Sequence, residues 1–137
     1  MANSKSIGVA FLDQDIIGAD YVYAAGEIGY SAAGQGTVTQ ATSKSTGVTL
    51  NKSAGQIIMN NAALAAATNV TFTLTNSTLS AKDVLILNVS GAATSGAYNC
   101  WVSSMSAGSA TVTLRNITAA TSLSEAVVIN FVIIHCT

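Results

Sequence analysis

His135 is the only histidine in this chain of 137 residues, so acid–base chemistry near neutral pH must use it or do without an imidazole. With Cys100 as nucleophile and Asp83 as an orienting acid it would form a thiol constellation of the kind that acyl transfer uses. The flanking residues argue against this, because Cys100 sits beside Trp101 inside a strand-like stretch and His135 closes the last such stretch. Asp83 and Glu125 are the only acids after residue 36. A carboxylate pair for glycoside hydrolysis would need both, and nothing around either favours it. Asp13-Gln14-Asp15 with Asp20 offers oxygen ligands to a hard cation, but Ile17 stands where a calcium loop has its third ligand, which leaves a solvated turn. Gly34-Gln35-Gly36 is too short for a phosphate loop. No catalytic residue, metal site or cofactor is therefore expected.

Recognition by aromatic residues is the remaining chemistry. Tyr98 and Trp101 lie three apart on one strand, hence on opposite faces, so one belongs to the core and the other to the surface. The exposed member could stack on a glycan, although ordinary packing is the simpler role. Tyr21 and Tyr23 share a face of the N-terminal segment beside acids, a plausible anchor for a partner protein because tyrosine is enriched at interfaces. The candidate partner-binding set is Phe11, Asp13, Asp15, Asp20, Tyr21, Tyr23 and Tyr30.

The elements that must position these residues are β-strands. Asn69-Val70-Thr71-Phe72-Thr73-Leu74-Thr75 alternates threonine with apolar residues, and Ala110-Thr111-Val112-Thr113-Leu114 repeats the pattern. Side chains of a strand point alternately to its two faces, so Val70, Phe72 and Leu74 can enter a core while the threonines coat the outside. Strand signals recur at 37–42, 46–50, 55–59, 69–75, 83–90, 97–105, 109–116 and 125–135, a spacing that predicts an antiparallel, jelly-roll-like β-sandwich of about eight strands. Ala62 to Ala67 could form a helical turn by propensity.

Residues 1–36 form a separate unit, an attachment arm or small hairpin, and 37–137 the sandwich. The first stretch carries a net charge of −3 and three of the four tyrosines, the second a net of +2. Ile7 to Leu12 and Ile16 to Tyr23 flank an Asp13-Gln14-Asp15 turn signal, and Ser31 to Gly36 reads as a flexible connector.

Composition excludes several classes. Only 8% of residues are charged, the net charge is −1, and the five basic residues (Lys5, Lys44, Lys52, Lys82 and Arg115) are scattered, which argues against nucleic-acid binding. The longest apolar run, Ala126 to Ile134, is about half of the roughly 20 residues a spanning helix needs, and its Val/Ile content fits a buried strand. No membrane span and no secretory signal are expected. Without such a signal Cys100 and Cys136 read as two free, buried thiols rather than a disulfide. Five Asn-X-Ser/Thr matches, at Asn51, Asn69, Asn76, Asn88 and Asn116, carry no weight in a chain so rich in Ser and Thr. With no proline and few lysines to blunt the sheet edges, the edges are expected to be covered by neighbouring subunits, which makes an oligomer the expected state.

Thr37 to Leu50, Asn51-Lys52, Gly55-Gln56-Ile57-Ile58-Met59, Val70 to Asn76 and Ser122-Leu123-Ser124-Glu125-Ala126-Val127-Val128-Ile129-Asn130-Phe131 resemble a module of tailed-bacteriophage virion proteins. The resemblance covers roughly residues 36 to 134 and is most specific around Lys44 and in the Ser-Glu-Ala-Val-Val-Ile-Asn-Phe string. It implies a β-sandwich knob of the capsid-decoration or fibre type and, as function, a capsid decoration (cement) protein. Such a protein is made in the host bacterial cytoplasm, docks on the major capsid protein through its N-terminal segment and self-associates as a homotrimer on the capsid surface. The alternatives are a receptor-binding knob of a head or tail fibre that recognises a host surface glycan, and a minor tail or baseplate component.

Overall fold

The structure, a computed structural model, describes residues 20–136. Phe11, Asp13, Asp15 and most of the expected arm hairpin lie outside the described residues. Eight strands are present among those described: β1 (Gln35–Thr39), β2 (Val48–Thr49), β3 (Ala54–Ile58), β4 (Asn69–Thr75), β5 (Val84–Gly91), β6 (Tyr98–Ser106), β7 (Ser109–Asn116) and β8 (Val128–Ile134). Each coincides with one of the eight expected segments. They form two four-stranded sheets in the orders β1-β3-β8-β5 and β2-β4-β7-β6, packed as a sandwich with β1 beside β2 and β5 beside β6.

The alternation that predicted the strands also builds the core. On β4, Phe72 and Leu74 are buried while Thr71, Thr73 and Thr75 are exposed. Leu74, Val112 and Leu114 of one sheet and Ile57, Ile129 and Ile133 of the other are fully buried between them. Burying one such side chain stabilises the fold by about 1.5–3 kcal/mol. Gly36 and Gly55 pair across β1 and β3, where a Cβ on Gly55 would come within 2.5 Å of the Gly36 carbonyl and 2.9 Å of Leu50. Glycine there lets Leu50 and Phe131 close the core at that edge.

Several details depart from expectation, each for a local reason. The sheets are mixed: β1 runs parallel to β3 and β2 parallel to β4, while the other four pairings are antiparallel. The alanine run is not helical. Leu64 bridges Leu123 instead, and Ala67 turns with φ at 55°, because a six-residue helix cannot compete with tertiary hydrogen bonds. Ser31 to Gly36 is not a flexible connector, since Ala32–Gly34 form a 3-10 turn and Gln35 opens β1. The apolar run 126–134 is not buried throughout: on β8 Ile129, Phe131 and Ile133 point inward, and Val128, Asn130, Val132 and Ile134 point outward. Cys100 is half-buried, and Cys136 is exposed rather than buried; both are free.

The sheet edges carry protection of their own. β5 has a bulge between Val89 and Gly91, β6 has one between Val102 and Ser104, and β2 is only two residues long. Bulges and short strands are alternatives to Lys and Pro for blunting an edge, so neighbouring subunits are not required for that purpose.

Candidate functional site

The sandwich has two ends of different chemistry. At the first, the arm end, the N-terminal segment lies against β8. The Tyr30 hydroxyl donates to the Ile133 carbonyl at 2.5 Å, Gln35 Nε2 donates to the Tyr30 carbonyl at 2.7 Å, and Lys52 Nζ donates to the Ala33 carbonyl at 2.8 Å. These bonds leave an apolar groove of about 680 Å³ between arm and sheet, lined by Ile28, Tyr30, Ala54, Val132 and Ile134. Val84, Ile86 and Ile134, each about half exposed, continue the apolar surface across β5, because Val84 pairs with Ile134 and Ile86 with Val132. Sequence reasoning missed this patch. Its residues are spread over 28–134, and only the sheet register brings them together.

Of the expected partner-binding residues, Asp20, Tyr21 and Tyr23 are exposed, and the two tyrosine rings stack with centroids 5.9 Å apart. Tyr30 is separated from them and engaged with β8. Asp83 and His135 do meet at this end. The Asp83 carboxylate accepts the Ser80 N–H and hydroxyl, each at 2.8 Å, the Cys136 N–H at 3.0 Å and His135 Nδ1–H at 3.0 Å. The Ser80 and Cys136 N–H groups, in that order, hold the carboxyl well below the usual carboxylate range. Cys100, the third member of the hypothetical constellation, lies elsewhere. Its sulfur lies near the backbone of Val89, six residues along the strand from Asp83 and therefore about 20 Å away. Burial pushes the Cys100 thiol up, away from the reactive thiolate. The Asp83–His135 contact is a clasp on the end of β8.

At the second end the loops 40–46, 60–68, 92–97 and 117–125 converge. Lys44 is only 3% exposed, and its ammonium donates to the Asn60 and Glu125 carbonyl oxygens. Burial pushes its pKa down, opposed by the nearby Glu125 charge. The two strings that carry the phage-module resemblance thus meet at this lysine. The buried Gln40 organises the same loop, donating to the Lys44 and Thr46 carbonyls and accepting the Asn60 N–H. The Glu125 carboxylate accepts the Thr94 hydroxyl at 2.7 Å and the Thr94 N–H at 3.1 Å, which lower its pKa. Beneath that loop the Tyr98 hydroxyl is buried without a hydrogen-bond partner among the described residues, and burial, reinforced by Glu125, raises its pKa. Asp83 and Glu125 stand at opposite ends of β5, which removes any glycosidase pairing.

Between β5 and β6 this end opens into a cleft of about 500 Å³, with Asn88, Ser95, Tyr98, Asn99 and Cys100 among its walls. Tyr98 is the inward aromatic, and Trp101, 36% exposed, the outward one, as the three-residue spacing requires. Trp101 belongs to the threonine-coated outer face of β4, β7 and β6, where Ser104 bonds Thr111 and Ser106 bonds Ser109 across the register.

Two of the Asn-X-Thr matches have a structural role that the sequence reading passed over. Asn76 and Asn116 are both fully buried. Asn76 Oδ1 accepts the Thr78 N–H and hydroxyl, and Asn116 Oδ1 does the same for Thr118, so the motif ends β4 and β7 with identical turns. Among the described residues no group of three His, Cys, Asp or Glu side chains is placed to hold a metal ion, and no helix is long and apolar enough to cross a membrane. No protein family, curated protein or solved structure matches the chain.

Proposed function

We propose that this chain is a structural protein of a tailed-bacteriophage virion, a capsid decoration (cement) protein that docks on the major capsid protein through its arm end, self-associates as a homotrimer and displays the rest of the sandwich outward. The observation that carries the reading is the polarity of the molecule. One end gathers Ile28, Tyr30, Val84, Ile86, Val132 and Ile134, whereas the outer face of β4 and β7 is mostly hydroxyl. An apolar, tyrosine-bearing end suits a protein interface. A neutral hydroxyl face suits display in solvent. The resemblance of residues 36–134 to virion modules points the same way.

The test is the position and number of copies in an intact particle, with re-binding of purified protein to particles that lack it. Copies distributed over the head, and re-binding lost in an Ile86→Ser, Ile134→Ser double variant that remains folded, are the expected results. Absence from the head would overturn the reading. A few copies at the tail would favour a receptor-binding knob, the second reading, which is supported by the uncharged cleft between β5 and β6.

A further inference from the structure

We propose that copies of this chain exchange their arms: Tyr21, Val22, Tyr23 and Ile28 of one copy pack on the strip formed by Val84, Ile86, Val132 and Ile134 of a second. The exchange rests on the self-association in the reading above and names the surfaces that meet. In a single copy neither surface is covered. Residues 20–29 are exposed throughout, Tyr21 to 77%, Tyr23 to 88% and Ile28 to 76%. A segment that stays in solvent is normally polar. Here six of the ten residues are apolar or aromatic, and only Asp20 and Glu27 are charged. The strip is similarly bare: Val84, Ile86 and Ile134 are each about half exposed, and the register sets Val84 beside Ile134 and Ile86 beside Val132.

The root of the arm decides which copy it reaches. Three hydrogen bonds hold that root on its own sheet, from Tyr30 to Ile133, from Gln35 to Tyr30 and from Lys52 to Ala33. Ile28 sits in the wall of the adjoining groove, but residues 20–27 line none of it, so the arm leaves its own Val84 and Ile86 uncovered. The nine residues from Tyr30 back to Tyr21 reach up to about 30 Å when extended, against about 15 Å for the width of a four-stranded sheet. Charge fits the pairing as well. The arm brings Asp20 and Glu27, and Lys82 stands exposed at the Val84 end of the strip. The neighbouring Asp83 carboxylate is already taken by Ser80, His135 and Cys136 of its own chain. A contact of strip with strip would leave both arms bare. Exchange of a segment between identical copies is a low-cost route to association, and tyrosine is enriched where proteins meet. Strip and overlying arm together then form the surface offered to the capsid.

Two double variants of the full chain test the exchange, Tyr21→Ser, Tyr23→Ser in the arm and Ile86→Ser, Ile134→Ser in the strip. All four positions are solvent-facing in the single copy, and circular dichroism confirms folding. Sedimentation of the purified parent should show self-association, and each double variant should weaken it at least about thirtyfold. Mixing the two variants should restore a complex of one with the other in native mass spectrometry, because the intact arm of the strip variant meets the intact strip of the arm variant. Lys82→Glu should weaken the parent's association about two- to fivefold. A parent that stays monomeric up to about 1 mM would overturn self-association and the exchange with it. A parent that associates while the arm variant associates equally well, or two monomeric variants that fail to complement each other, would overturn the exchange alone.

Discussion

The two ends of this sandwich are held by the same device and put to different uses. At each, a carboxylate accepts both the N–H and the hydroxyl of one Ser or Thr: Asp83 takes Ser80 at the arm end, and Glu125 takes Thr94 at the cleft end. Asp83 also clasps the end of β8 through His135 and Cys136, which steadies an apolar surface. Glu125 is joined through its carbonyl to a buried lysine, which steadies a polar cleft. A chain with so few charges spends its only two acids beyond residue 36 on loop geometry. Ionic groups here are fasteners of loops.

Substitution at Lys44 tests the contrast most severely. Lys44→Met keeps the bulk but leaves the Asn60 and Glu125 carbonyls without their donor, and should cost about 3 kcal/mol in denaturant unfolding. Hydrogen exchange should rise in loops 40–46, 60–68 and 92–97 and stay unchanged around Ser80 and Cys136. Uniform loosening of both ends would break the comparison. Gly55→Ala, near the arm end, should cost about 2 kcal/mol by pressing a methyl group into the Gly36 carbonyl and Leu50.

Much of this architecture was legible in the sequence, and the illegible part has a common cause. Alternation of threonine with Val, Phe and Leu is a local signal that marked β4 and β7, and apolar runs between turn residues marked the other six strands. The spacing also put Tyr98 and Trp101 on opposite faces, and the structure shows that Tyr98 is the inward one. The parallel pairing of β1 with β3 and of β2 with β4 left no local trace, because partner choice in a sheet depends on distant segments. Lys44 is similar: a lone lysine among serines and threonines reads as surface until three loops are seen to close over it. The apolar patch was hidden because Val84, Ile86, Val132 and Ile134 reside in runs whose inward members alone account for the hydrophobicity.

A pH series separates the two carboxylates. Both have folded-state pKa values below their unfolded ones, so in the acidic range the unfolded chain binds more protons. Their stabilisation is therefore complete above about pH 4–5 and is lost as the pH falls through the carboxylate range. Thermal midpoints measured down to pH 2 should decline less steeply in Asp83→Asn than in the parent. Glu125→Gln should flatten the curve less, because its carboxylate has fewer donors. Equal effects would mean that the His135 and Cys136 contacts add nothing. The smallest expected change is in Val84→Ser, Ile86→Ser, at about 0.5 kcal/mol or less, with self-association or capsid binding lost instead; a large stability loss would place those side chains in the core rather than on a docking surface.

The position of β8 has a consequence for the order of assembly. It is the last of the eight strands among the described residues, yet it lies between β3 and β5, pairing with both. As the chain leaves the ribosome, β2, β4, β7 and β6 can already form a complete sheet, while the β1–β3 pair and β5 wait for residues 128–134 to join them. Until then Leu85 has no paired strand beside it, and Ile57 has only β1. Such non-local closure is slow and exposes apolar surface. Chains interrupted before β8 should therefore aggregate rather than fold into a smaller sandwich.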